Sequence, residues 1–158
     1  MSIGFVRPAT PAPSPARVWV LSGVNLGRLG TREPSVYGSG TYADLEGAVR
    51  ETAAELDVAV DVRQTDDEVE LIRWLHDAAD AAVAVVLNPG AWSHYSYAVR
   101  DACAALPGPL VEVHLSQTAA REEFRHTSVV SPVASGTITG FGFDSYRLGL
   151  RAAVSLLG

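Results

Sequence analysis

Cysteine is almost missing from this sequence. Cys103 is the only one among 158 residues, so neither an intrachain disulfide nor a cysteine-built zinc site can form. Excess positive charge is missing too. Lys+Arg number 12 against 18 Asp+Glu, for a net charge of −6 and a pI near 5.1. That balance disfavours a nucleic-acid partner or an anionic membrane surface, although a local cluster of arginines can still hold a small anion. No stretch of about 18 apolar residues exists to span a bilayer. The N-terminus lacks a basic flank followed by an unbroken apolar segment, so no secretory signal is expected, and a reducing cytoplasm suits the lone thiol. With 47% hydrophobic and 19% charged residues, the chain has the makings of one domain with a substantial core.

Residues 1–16 carry Pro8, Pro11, Pro13 and Pro15 amid Ala, Ser and Thr. Such a segment builds neither helix nor ladder and reads as a flexible Pro/Ala-rich tail. From residue 17 to 158 the pattern alternates. Apolar bursts at 18–22, 58–63, 82–87, 110–115 and 137–140 read as strands, the third being the best candidate for a central parallel one. Between them come amphipathic helices at about 41–56, 65–78 and 96–106, with a closing helix at 145–157. Thr41 with Asp44 three residues on is a capping-box start. Strands alternating with helices imply right-handed crossovers and an α/β fold, a flavodoxin-like three-layer sandwich with a five-stranded parallel sheet. Its binding crevice belongs past the carboxyl ends of the strands, where strand order switches.

The chemistry-bearing residues gather at those strand ends. Gly23 to Gly38, after the first strand, holds Asn25, Arg28, Arg32 and Tyr37 among glycines. It fits neither the dinucleotide fingerprint nor the phosphate-loop pattern. A tyrosine beside an arginine can ionise below its usual pKa of about 10 and serve as a base; the plain alternative is a long turn. Asn88 precedes Pro89-Gly90 and suits either a turn or the crevice. His94 stands at a helix entrance, where it either caps or faces the site. Glu112 and His114 alternate with Val111 and Val113, so both point to one face. A carboxylate beside an imidazole raises its basicity and fixes its tautomer; the rival reading is an outward polar face on an edge strand. Arg121 and Arg125 share a face if they lie on a helical turn, or else form ordinary surface pairs with nearby acids. Asp101 is either solvated or a binding group, and Cys103 reads as a core residue. No short ligand spacing supports a metal site, and His76 and His126 receive no role.

Four stretches carry a family resemblance: Asn25 to Gly38, Arg63 to Ile72, Leu87 to Ser96, and Val111 to Ser116 with Ala120 to His126. Over residues 17–158 the chain resembles the type II dehydroquinases (3-dehydroquinate dehydratases). The resemblance implies a cytoplasmic lyase of the shikimate pathway, or of quinate breakdown, that dehydrates 3-dehydroquinate to 3-dehydroshikimate by anti elimination through an enolate. It implies catalytic roles for Tyr37 (base), Arg32 (stabilising its phenolate), Asn25 (holding a water on the enolate), His114 (acid) and Glu112 (orienting His114). Asn88, His94, Leu115, Ser116, Arg121 and Arg125 would bind substrate, and Asp101 would reach the site of a neighbouring subunit. The loop with Arg32 and Tyr37 would act as a lid. It further implies no cofactor and no metal, a small-molecule substrate, and a homo-oligomer, a dodecamer built as a tetramer of trimers.

The chain departs from the family pattern at Val24, where a proline is usual, at Tyr95 and Tyr97, where smaller residues are common, at Gln117-Thr118-Ala119, and at Ser145. Tyr95 and Gln117 adjoin expected substrate contacts. They motivate a rival reading, a specialised paralogue acting on a related cyclic hydroxy-ketone such as an amino-dehydroquinate. A second rival is a non-catalytic binding or assembly protein of the same fold.

Overall fold

A computed structural model describes residues 17–31, 33–37 and 39–158, with Pro34 and Tyr37 described in their backbone only. The proline-rich segment read as a tail, 1–16, lies outside the described residues, as do Arg32 and Gly38. Five strands, β1 (Arg17–Ser22), β2 (Ala59–Gln64), β3 (Ala84–Asn88), β4 (Leu110–His114) and β5 (Gly136–Thr139), form one parallel sheet in the order β2-β1-β3-β4-β5. The helices are the short α1 (Pro34–Tyr37), then α2 (Tyr42–Glu55), α3 (Glu68–Ala81), α4 (Tyr97–Ala104) and α5 (Phe143–Leu156).

The apolar runs are unbroken because both faces of the sheet are covered. Along β1, Val18 and Val20 join the core under α2 and α5, while Trp19 and Leu21 join the core under α3 and α4. β3 repeats this with Ala84 and Val86 on one side and Val85 and Leu87 on the other. α5 lies so close to the sheet that a Cβ on Gly149 would come within 2.6 Å of Val113 Cγ1.

The helix starts follow their caps. Thr41 accepts from the Asp44 amide at 3.2 Å while Asp44 Oδ2 accepts from the Thr41 amide at 2.9 Å, completing the capping box. These bonds hold the exposed Asp44 carboxyl below its ordinary pKa. Asp67 caps α3 and Ser96 caps α4. Each expected strand and helix forms, with boundaries moved by one or two residues, and α3 as a whole by three.

β4 is flanked by β3 and β5, and all five of its residues are buried. Glu112 and His114 therefore stand in the interior of the sheet rather than on a solvated edge.

Candidate active site

Strand order switches between β1 and β3, and the cleft opens at that point, over the carboxyl ends of β1, β3 and β4. Its empty volume is about 560 Å³. Asn25, Asn88, His94, His114, Leu115, Ser116, Arg121 and Arg125 all line it, so eight residues expected at the site from sequence meet in one place.

Asn25 takes a left-handed backbone, φ 68, a conformation asparagine tolerates better than most side chains. Its amide donates to Asp66 Oδ1 at 2.7 Å, and Gln64 Nε2 bridges Asp66 and the Gly23 carbonyl at 3.1 and 3.2 Å. The polar end of β2 thus fixes the loop after β1. Asn88 pairs with Ser22 across the strands, and its Oδ1 accepts from the Gly90 amide at 3.0 Å. Turn and crevice roles coincide in this residue. Gly90 itself needs φ +62, and a Cβ there would meet the Val24 carbonyl at 2.7 Å.

At the end of β4, His114 Nε2 and Glu112 Oε2 lie 2.7 Å apart. That bond commits Nε2 and leaves Nδ1 as the ring nitrogen available to the cleft. The second Glu112 oxygen accepts from Ser128 Oγ at 2.8 Å and from Ser131 Oγ at 3.0 Å. A carboxylate only 1% exposed is therefore fully bonded. The ring of His94 stacks beside His114, with centroids 6.3 Å apart. Burial is the main force holding His94 below the ordinary imidazole pKa, and the neighbouring His114 and Arg125 add to it. His94 Nδ1 meets the Thr127 carbonyl at 3.0 Å. A carbonyl only accepts, so Nδ1 carries the proton and the neutral Nε2 is an acceptor suited to a substrate hydroxyl.

Arg121 and Arg125 do not share one helical turn. Arg121 is the extended residue that follows the 3₁₀ turn 118–120, Arg125 lies in the next one, 123–126, and still both reach the cleft. Arg125 Nε donates to Glu122 Oε2 at 2.9 Å, and Arg121 Nε lies 3.8 Å from Glu122 Oε1. The exposed Glu122 carboxyl is held below its ordinary range, chiefly by Arg125. Surface pairing and site lining are thus compatible for these arginines. The acid between them orients both guanidinium groups.

Asp101 lies elsewhere. It is exposed on α4 and pairs with Arg100 at 2.9 Å, outside the cleft of its own chain. Arg32 is outside the described residues, and so is the side chain of Tyr37. Tyr37 is the last residue of α1, which begins directly after Glu33, whose carboxylate lies 3.5 Å from Arg121 in the cleft wall. None of the other four tyrosines lines the cleft. Burial pushes Tyr42 up to about 12 and holds Tyr146 well above the tyrosine range, while Tyr95 and Tyr97 are exposed and outside the cleft. Cys103 is buried, its thiol pushed up to about 12 by desolvation and by Glu112, which keeps it an unreactive core group.

The sequence profile described as Dehydroquinase class II matches residues 16–154. The chain belongs to this family. The 3-dehydroquinate dehydratase of Salinispora tropica is 66% identical over 135 residues, covering 85% of this chain and 94% of the relative. That of Mycobacterium tuberculosis is 51% identical over 139 residues, covering 88% and 95%. The crystal structure of the type II dehydroquinase from Propionibacterium acnes superposes with a TM-score of 0.87 at 49% identity, covering 91% of this chain and 99% of that one.

As a class II dehydroquinase, the chain can be judged at its departures from the family pattern. Tyr95 is 61% exposed and outside the cleft. Gln117 turns to Thr139, whose hydroxyl donates to Gln117 Oε1 at 2.8 Å. Neither lines the cleft. Val24 and Thr118 do line it. Sequence reasoning missed the apolar wall of Leu26 and Leu29, the Asp66 brace, and the serines on Glu112. Only Asp66 left a usable signal, as an acid just past a strand end.

Proposed function

We propose that this chain dehydrates 3-dehydroquinate to 3-dehydroshikimate by anti elimination through an enolate. The single observation that supports it most is the buried Glu112–His114 pair, which presents one imidazole nitrogen to a cleft walled by Asn25, Asn88, His94 and two arginines. A ketone can acidify the carbon beside it directly or as an imine. All 12 basic side chains here are arginine. With no lysine amine available, the ketone itself must take the electrons.

Tyr37, its phenolate stabilised by Arg32, removes the proton beside the ketone. Asn25 holds a water against the developing enolate oxygen, an oxyanion-type contribution. His114, oriented by Glu112, protonates the departing hydroxyl. Arg125 takes the substrate carboxylate, and Asn88, His94, Leu115, Ser116 and Arg121 take the ring hydroxyls. The loop with Arg32 and Tyr37 closes over the bound ring and excludes water. Residues 17–158 act as one catalytic domain. The active form is a cytoplasmic dodecamer, a tetramer of trimers, in which Asp101 reaches a neighbouring copy's site.

Absorbance of the conjugated enone product, with purified protein and 3-dehydroquinate, tests the reaction. Turnover is expected, falling at least about a hundredfold in Tyr37→Phe, as expected for loss of a general base. Turnover of an amino analogue but not of 3-dehydroquinate would replace this reading with that of the specialised paralogue.

A further inference from the structure

We infer that Ser128 is a positioning residue for the acid, acting through Glu112 to set which member of the Glu112–His114 pair carries the shared proton. Ser128 Oγ lies 3.2 Å from the Val130 amide and 3.1 Å from the Ser131 amide, and both amides donate to it. A serine hydroxyl has two lone pairs and one proton. With the lone pairs occupied, its O–H is left to point at Glu112 Oε1, 2.8 Å away. Ser128 is thus a one-way donor. It cannot turn round to accept a proton from a neutral Glu112.

Ser131 Oγ also donates to Oε1, at 3.0 Å, but it lies 3.1 Å from Thr137 Oγ1, where either hydroxyl can donate. Its orientation is therefore less constrained. The outcome is a carboxylate kept as an acceptor on both oxygens, with the proton on His114. Doubly protonated, that ring gives Nε2–H to Glu112 and Nδ1–H to the cleft.

Other titratable or charged groups face the pair. His94 lies on the turn after β3, Cys103 on α4, and Arg121, Arg125 and His126 on the loop after β4. None of the contacts described for them supplies a donor to Glu112 Oε1. Ser128 and Ser131 come from the irregular segment that returns the chain to β5, and nothing in the reaction touches them.

The inference rests on the dehydratase reading, so parent turnover of 3-dehydroquinate is measured first, and its absence would count against that reading alone. Ser128→Ala is expected to lower kcat about tenfold, the effect of a hydrogen bond to a charged group, with KM within about twofold. Without the donor, the proton can rest on Glu112. The one-proton pair then persists to higher pH while its productive form is scarcer, so the alkaline limb of kcat moves upward as the plateau falls. Ser128→Thr keeps the hydroxyl and is expected to restore both. ¹⁵N spectra of the histidines give an independent readout, with His114 Nε2 moving toward the unprotonated position in Ser128→Ala only. An unchanged kcat and pH profile in Ser128→Ala, or equal losses in the Ala and Thr variants, would overturn the inference. Should Ser128→Ala fail to fold, Ser131→Ala takes over. It removes the longer bond to the same oxygen, and a loss of about threefold in kcat is expected; no loss would contradict the inference.

Discussion

At the residue scale, the cleft is built from groups whose protonation is settled by what they touch. His94 gives the clearest pH signature. Its folded pKa lies below the ordinary histidine value near 6.5, chiefly through desolvation. The unfolded chain therefore binds more protons than the folded one between the two values. Stability associated with His94 is fully present above about pH 6.5 and is lost as pH falls through the lower, folded value. Thermal melts from pH 7.5 down to 5 should fall less steeply for His94→Asn than for the parent. Parallel slopes would mean that His94 is as easily protonated folded as unfolded. At this scale the sequence was most legible where side chains alternate. The spacing of Glu112 and His114 about Val113 sufficed to put both on one face, and an imidazole two residues from a carboxylate meets it. Ser128 and Ser131 were not legible, because they reach Glu112 across 16 and 19 residues of irregular chain. No periodicity marks such a contact.

At the scale of elements, the strand ends hold the site in place through a second layer of contacts. β2 contributes no residue to the cleft, yet Gln64 and Asp66 at its end clamp the loop that carries Asn25. α5 sets how closely the helix layer approaches β3 and β4. Alanine for glycine within a helix ordinarily gains up to about 1 kcal/mol in propensity. At Gly149 the new methyl would lie 2.6 Å from Val113 Cγ1 and 3.2 Å from Val86 Cγ1, both on buried strands. Overpacking of this kind costs about 1–3 kcal/mol. Gly149→Ala should therefore be destabilised by about 1–2 kcal/mol in urea unfolding, and a stabilised variant would show that α5 can lift away freely. Element types and order were readable because apolar runs bounded by caps and turns leave few alternatives. The paired arginines were less so. Their spacing of four suggested a helical turn, but Glu122 begins a new 3₁₀ turn and the backbone at Arg121 is extended. The side chains converge through a shared acid, which spacing does not encode.

At the scale of the whole molecule, the chain carries a net charge of −6, and among the described residues no helix is long and apolar enough to cross a membrane. Mass measurement in solution is expected to give twelve times the 16.7 kDa chain, and a stable, fully active monomer would remove any role for Asp101 in a neighbouring site. The central claim is the division of labour across the cleft, a base on the loop after β1 and an acid at the end of β4. It is tested most directly by following 3-dehydroquinate in deuterated water with His114→Asn. Exchange of the proton beside the ketone, seen by NMR, should continue near the parent rate, while enone formation falls at least about a hundredfold. Loss of both together, or of neither, would contradict the assignment of His114 as the acid.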